Sequence, residues 1–79
     1  MISTEQIKAA RMLLKWDQFQ LADHAAVAIS TVKRIEARPG PMQGNTKTAW
    51  RIQKALEDAG IELIDATEEK GPGVRLAKP

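Results

Sequence analysis

Four residues near the middle of the chain have types and spacing suited to contact with the edges of DNA bases. They fall on one face of a helix, at i, i+1, i+4 and i+5: Ile29, Ser30, Lys33 and Arg34. An exposed isoleucine suits a thymine methyl group, and an arginine can form a bidentate pair with guanine. Lys33 is equally suited to a phosphate, and Ile29 could instead pack against the turn before it. The pattern predicts a helix that reads a major groove.

A helix-turn-helix over residues 17–37 would position that face. Leu21, Ala22 and Ala25 share one face of a short first helix, and Ala22 is small enough to let a second helix cross closely. The inward face of the second helix comes from three apolar residues: Val27, Val32 and Ile35. The opposite face of this second helix is then free for solvent or DNA.

This segment resembles the helix-turn-helix of the lambda-repressor/Cro family of transcriptional regulators, also called the XRE family. The matching positions, within a similarity covering roughly residues 4–59, are Arg11, Gln18, Leu21, Ala22, Val27, Ser30, Thr31, Val32, Arg34, Ile35 and Glu36. The resemblance implies that Gln18 touches a phosphate or a base edge and that Arg11 pairs with Glu36. Gln18 could also be an ordinary exposed helix residue.

Two positions depart from the pattern of that family. Ala26 stands where the family usually has glycine, which implies a left-handed residue at some cost or a different turn. Ala28 stands where the family usually has a serine or threonine, so the second helix loses its hydroxyl cap. Neither departure excludes the motif.

Cap and stop signals predict a mainly α fold of four helices with a C-terminal β-hairpin. The Ser3–Gln6 and Asp17–Gln20 spacings start helices that end near residues 16 and 25. The third helix runs over about 28–37, and the fourth begins at Asn45 or Thr46 and ends before Gly60. A hairpin follows at about 61–77. The predicted core comprises Ile7, Leu14, Leu21, Ala22, Val27, Val32, Ile35, Ile52 and Leu56.

The composition is typical of one domain, spanning residues 1–79, that is not an enzyme. The chain has 79 residues, one histidine and no cysteine. Disulfides, thiolate nucleophiles and cysteine-ligated zinc are therefore excluded, and no glycine-rich phosphate loop is present. We expect no metal and no cofactor. No apolar run is long enough to cross a membrane, and the N-terminus is unlike a signal peptide, which favours a cytoplasmic location.

The charges are divided unevenly along the chain. Residues 1–56 hold nine Lys/Arg and four Asp/Glu, a balance of +5, whereas residues 57–79 hold three and six, a balance of −3. A basic surface around the motif suits DNA phosphates, although charge alone equally fits a mixed, solvated surface. The candidate phosphate contacts surround the loop before the fourth helix: Arg38, Gln43, Asn45 and Lys47.

The partners that this sequence suggests are double-stranded DNA and a second copy of the chain. Trp16 is expected to fill the core, whereas Trp50 lies off the apolar stripe of its helix and is either exposed or folded against the loop. The predicted dimer interface comprises Trp50, Ile61, Leu63, Val74 and Leu76. Dimerisation through the fourth helix and the loop before it is the alternative. The alternative function is a protein-binding module, an antitoxin or antiactivator, with a second regulatory protein as partner.

Overall fold

Side-chain caps set where three of the four helices begin in the computed structural model, which describes residues 2–42 and 44–77. Ser3 and Asp17 each form a capping box, at the starts of α1 (Thr4–Leu14) and α2 (Gln18–Ala25). The Asn45 side chain accepts a hydrogen bond from the Thr48 amide at the start of α4 (Thr46–Asp58). The expected starts of these helices are confirmed.

The remaining helix, α3 (Ile29–Glu36), begins without a side-chain cap. Ala28 has the extended backbone of a cap residue, but its methyl group cannot accept a hydrogen bond from the first turn. Ala26 ends α2 in the left-handed region at φ 57°, a conformation that glycine adopts more readily. Ala26 therefore adopts the first of the two alternatives, the left-handed residue, and the missing cap at Ala28 is confirmed.

The chain ends in an antiparallel hairpin of β1 (Ile61–Ile64) and β2 (Gly73–Leu76). Ile61 pairs with Leu76 and Leu63 with Val74, so these four side chains share one face. β1 lies along α4, and β2 lies along α1. The hairpin thus packs on the helices with one face, as the marginal stability of an isolated hairpin requires.

A single side chain joins the hairpin to the first turn of α1. The buried Gln6 donates from Nε2 to the carbonyl oxygens of Ile64 at 3.1 Å and Gly73 at 3.0 Å. Its Oε1 accepts from the Ser3 amide at 2.9 Å, which completes the capping box. Gln6 was expected only as a capping residue, and the hairpin contacts explain why this polar side chain is buried.

The predicted core is present, with two residues nearer the surface than expected. Leu14 and Val27 are only half-buried, although both pack against the core. Ile2, Met42 and Ile61 join the core as well. The buried members of the predicted set are Ile7, Leu21, Ala22, Val32, Ile35, Ile52 and Leu56. No helix of the described residues is long and apolar enough to cross a membrane.

Trp16 does not fill the core as predicted. Its ring is half-buried and stacks on the imidazole of His24, with the ring centroids 4.2 Å apart and the planes 8° from parallel. The residue lies in the short connection between α1 and α2, where a large indole can cover the edge of the core more easily than enter it. The stack ties that connection to the last turn of α2.

Candidate nucleic-acid interface

One side of α3 is buried, and the other carries polar and basic residues. Val32, Ile35 and Glu36 face the protein interior, whereas Ser30, Lys33 and Arg34 are exposed. Lys33 and Arg34 also lie in the last turn, where the helix dipole favours positive charge. α3 therefore presents hydrogen-bond donors and two positive charges to the surroundings.

Ile29 is less exposed than the sequence pattern suggested. It is half-buried and packs against the core from the first position of α3. A side chain at this position, directly after the turn, can fold back over the apolar side chains beneath it. The polar face of α3 accordingly consists mainly of Ser30, Lys33 and Arg34.

An ion pair joins α1 to the last turn of α3. Arg11 donates from Nε and Nη2 to the two carboxylate oxygens of Glu36, each at 2.9 Å. Its Nη1 donates to the Trp16 carbonyl at 2.9 Å. The side chains are 16% and 3% exposed, so this is a largely buried bidentate pair. It is the pair that the resemblance implies.

Gln18 belongs to the same network. Its Nε2 donates to Glu36 Oε1 at 3.1 Å, so the first residue of α2 contacts the last residue of α3. The side chain is half-buried, which departs from the picture of an ordinary exposed helix residue. A primary amide has two N–H donors and one carbonyl acceptor, so the contact with Glu36 leaves one donor and the amide oxygen for an outside partner.

The loop between α3 and α4 carries the remaining predicted phosphate contacts. Arg38, Asn45 and Lys47 are all exposed, and Gln43 lies outside the described residues. The Asn45 oxygen caps α4, so its amide nitrogen is the group left for an outside partner. Arg34 and Arg38 line a cleft of about 290 Å³ together with Ile35 and Gly44. Two arginines thus border one concave surface beside α3.

The same loop is anchored to the start of the chain, which the sequence patterns did not indicate. Residues 2–4 run beside residues 40–42, with hydrogen bonds from the Thr4 amide to the Gly40 carbonyl at 2.9 Å and from the Met42 amide to the Ile2 carbonyl at 3.1 Å. The apolar side chains of Ile2 and Met42 are both buried. The sequence signal for this pairing is the apolar character of these two residues. Apolar residues are too common for this to predict that two distant segments pair.

The residues predicted as a dimer interface divide into buried and exposed groups. Ile61 is 3% exposed because it packs in the core of its own chain, so it is unavailable to a second copy. Leu63 and Val74 are half-buried against the core. Leu76 and Trp50 are 52% and 61% exposed. The apolar surface that remains for a partner is smaller than the sequence suggested.

The outward face of the hairpin carries an ion pair between the strands. Arg75 donates to the Glu62 carboxylate at 2.6 Å across the strands, and both side chains are exposed. The hydrogen bond from Arg75 lowers the pKa of the Glu62 carboxyl below its ordinary value, and its positive charge acts in the same direction. This face is therefore better suited to solvent than to an apolar partner.

Three exposed apolar residues of the described chain were not singled out from the sequence. Met12 and Leu13 near the end of α1 are 70% and 40% exposed, and Phe19 in the first turn of α2 is 65% exposed. Within residues 2–42 and 44–77, no group of three His, Cys, Asp or Glu side chains is placed to hold a metal ion.

No protein-family model matches the chain, and no curated protein matches it.

Proposed function

We propose that this chain binds double-stranded DNA as a small helix-turn-helix transcriptional regulator of the lambda-repressor type, most simply as a repressor or autoregulator. The observation that carries the proposal is the two-sided character of α3. One side is held in the core through Val32 and Ile35, while Ser30, Lys33 and Arg34 stand on the other. The preceding α2 and the three-residue connection fit the motif that inserts such a helix into a major groove.

The contacts in this proposal divide into base readers and phosphate binders. The base readers are Gln18, Ile29, Ser30, Lys33 and Arg34. The phosphate binders are Arg38, Asn45 and Lys47, together with Gln43 from the sequence. Lys47 is exposed in the first turn of the capped α4, and Arg38 is exposed in the loop before it, which supports this, since backbone amides at a helix start favour phosphate.

The proposal includes a homodimer. One recognition helix spans few base pairs, so specificity calls for two of them, about 34 Å apart on an inverted repeat. Leu76 and Trp50 are the exposed apolar residues of the predicted interface. The acidic balance of residues 57–79 suits a surface turned away from phosphate.

The first test compares two alanine variants on DNA from the region upstream of the gene. Arg34→Ala should weaken binding by about 1–3 kcal/mol and relax preference at one operator position, because a bidentate base contact is lost. Lys47→Ala should weaken all sequences alike and reduce the salt slope by about one. Gel shifts over a salt series, with operator and random duplexes, measure both effects.

Lys70→Ala is the matched control because it removes one exposed positive charge from the acidic segment, away from α3. It should change binding less than either variant. Unchanged affinity of Arg34→Ala for both operator and random duplex would show that α3 is not the recognition helix. A uniform loss with a smaller salt slope would instead assign Arg34 to a phosphate, which its position beside Arg38 also permits.

A second candidate function is supported by the exposed Met12 and Phe19. Large apolar side chains in such positions suit contact with another protein, so the chain could act as an antitoxin or antiactivator. The two functions differ in which assay a substitution of Phe19 should affect. Phe19→Ser should leave DNA binding intact if α3 reads DNA, and it should abolish partner capture if α2 and α1 form a protein interface.

A further inference from the structure

The loop that leads from α3 to α4 is held from the side by the first turn of α1. Gly40, at its centre, is bound through both sides of its backbone. Its carbonyl accepts from the Thr4 amide at 2.9 Å, and its amide donates to both Glu5 carboxylate oxygens at 3.1 Å. Gly40 has φ 96°, in the region that favours glycine, so the loop turns sharply at this point.

The contacts on either side of Gly40 make the anchor continuous with the core. The Thr4 hydroxyl is buried and donates to the Ile35 carbonyl at 3.1 Å, near the end of α3. Met42 is buried beside Ile2 and completes the backbone pairing. Glu5 differs from these residues because its side chain is exposed and still engaged with the loop.

We propose that Glu5 is a positioning residue, which holds the α3–α4 loop in the conformation that presents Arg38 and Asn45 to DNA phosphates. The inference rests on the proposed function and adds a residue that touches no DNA itself. A loop already held in its bound conformation loses less conformational freedom on binding, so affinity is higher without any further contact. Glu5 holds the loop by accepting the hydrogen bond from the Gly40 amide.

The negative charge of Glu5 and its contact with the loop should have opposite effects on DNA affinity, so the proposal can be tested. A carboxylate near the phosphate backbone repels it, so by charge alone the removal of Glu5 tightens DNA binding. If the carboxylate positions the loop, its removal weakens binding. The sign of the change therefore separates a bystander from a positioning residue.

The experiment measures DNA affinity of the full chain with three substitutions. Glu5→Ala should weaken binding by about threefold to tenfold, the value of one hydrogen bond. Glu5→Gln keeps an acceptor oxygen for the Gly40 amide and removes the charge, so it should bind at least as tightly as the wild type. Glu68→Ala removes a carboxylate from the exposed hairpin loop and should not weaken binding.

A second readout follows the contact itself. Hydrogen exchange of the Gly40 amide should quicken in Glu5→Ala and stay slow in Glu5→Gln, in the absence of DNA. Glu5→Asp retains the negative charge in the first turn of α1 but shortens the reach. It should therefore stay folded and still weaken binding, which keeps the test valid if Glu5→Ala proves unstable.

Two outcomes overturn the inference, and they differ from failure of the proposed function. If Glu5→Ala binds as tightly as Glu5→Gln while the wild type binds DNA, the function stands and the positioning role is wrong. If Gly40 exchanges equally fast in all variants, the contact is absent. A wild-type chain that binds no DNA under any salt condition overturns the function and this inference together.

Discussion

Among individual residues, the hydrogen bonds to Glu36 both stabilise the fold and fix the position of α3. A carboxylate that is almost fully buried is retained because three donors satisfy it: Arg11 Nε, Arg11 Nη2 and Gln18 Nε2. The network links α1, α2 and α3 at the point where α3 ends. It also neutralises a negative charge on the helix that we propose to face phosphates.

Removal of Arg11 should destabilise the protein strongly. Arg11→Met leaves Glu36 buried without its cation, and the expected loss in free energy of unfolding is about 3–5 kcal/mol. Urea denaturation followed by circular dichroism measures it. Lys54→Ala is the control, since it breaks the exposed Lys54–Asp58 pair, whose contribution is about 0.3–0.5 kcal/mol. Equal losses in the two variants would contradict a structural role for the buried pair.

At the element scale, α3 starts with less local support than its neighbours. α1, α2 and α4 each have a side chain that caps the first turn, whereas Ala28 supplies only backbone. Ala28 nevertheless has φ −69° and ψ 145°, which is the extended geometry of a cap residue. The start of α3 therefore depends on packing from Val32 and Ile35 more than on local hydrogen bonds.

Ala28→Ser should stabilise the protein because the backbone is already in the conformation that a capping serine needs. The expected gain is about 1 kcal/mol in free energy of unfolding, measured by thermal or urea denaturation. Asn45→Ala gives the reverse comparison at α4, where an existing cap is lost, and should cost about the same amount. A loss of stability in Ala28→Ser would mean that the serine oxygen does not reach the first turn of α3.

At the scale of the whole molecule, the hairpin completes the core of its own chain, and we propose that it also forms part of the dimer interface. Ile61 and the contacts from Gln6 secure it to the helices, so it is part of the domain rather than an appendage. Leu76 remains exposed on the strand opposite Ile61. A chain ending at Gly60 would lose core packing along with the hairpin, so a single substitution is the cleaner test of assembly.

Leu76→Asp should weaken self-association because a carboxylate would be buried without a partner in the interface. We expect the dimer dissociation constant to rise at least about tenfold, measured by sedimentation of the full chain. Met12→Asp is the control, with a similar exposed side chain on α1 outside the predicted interface. A Leu76→Asp protein that stays fully dimeric at micromolar concentration would favour association through α4 and the loop before it.

The local structure of this chain follows from short-range signals in its sequence. The left-handed conformation of Ala26 was one of two alternatives that the family resemblance left open. The starts of α1, α2 and α4 followed from capping residues and their spacing, and the missing cap of α3 followed from Ala28. These features depend on interactions within three or four residues, which a sequence pattern records directly. The hairpin followed from its alternation and its turn residues.

The way these elements meet depends on contacts between residues that are far apart in the sequence. Glu5 reaches Gly40 across 35 positions, and Gln6 reaches Gly73 across 67. Neither contact has a local signal, since many exposed glutamates and glutamines have the same neighbours in sequence. The same reason explains why Ile29 and Ile61 are more buried than expected. Their exposure depends on which parts of the folded chain pack against them. The spacing of apolar residues in the sequence indicates which face of a helix or strand is apolar, but it does not indicate which element packs on that face.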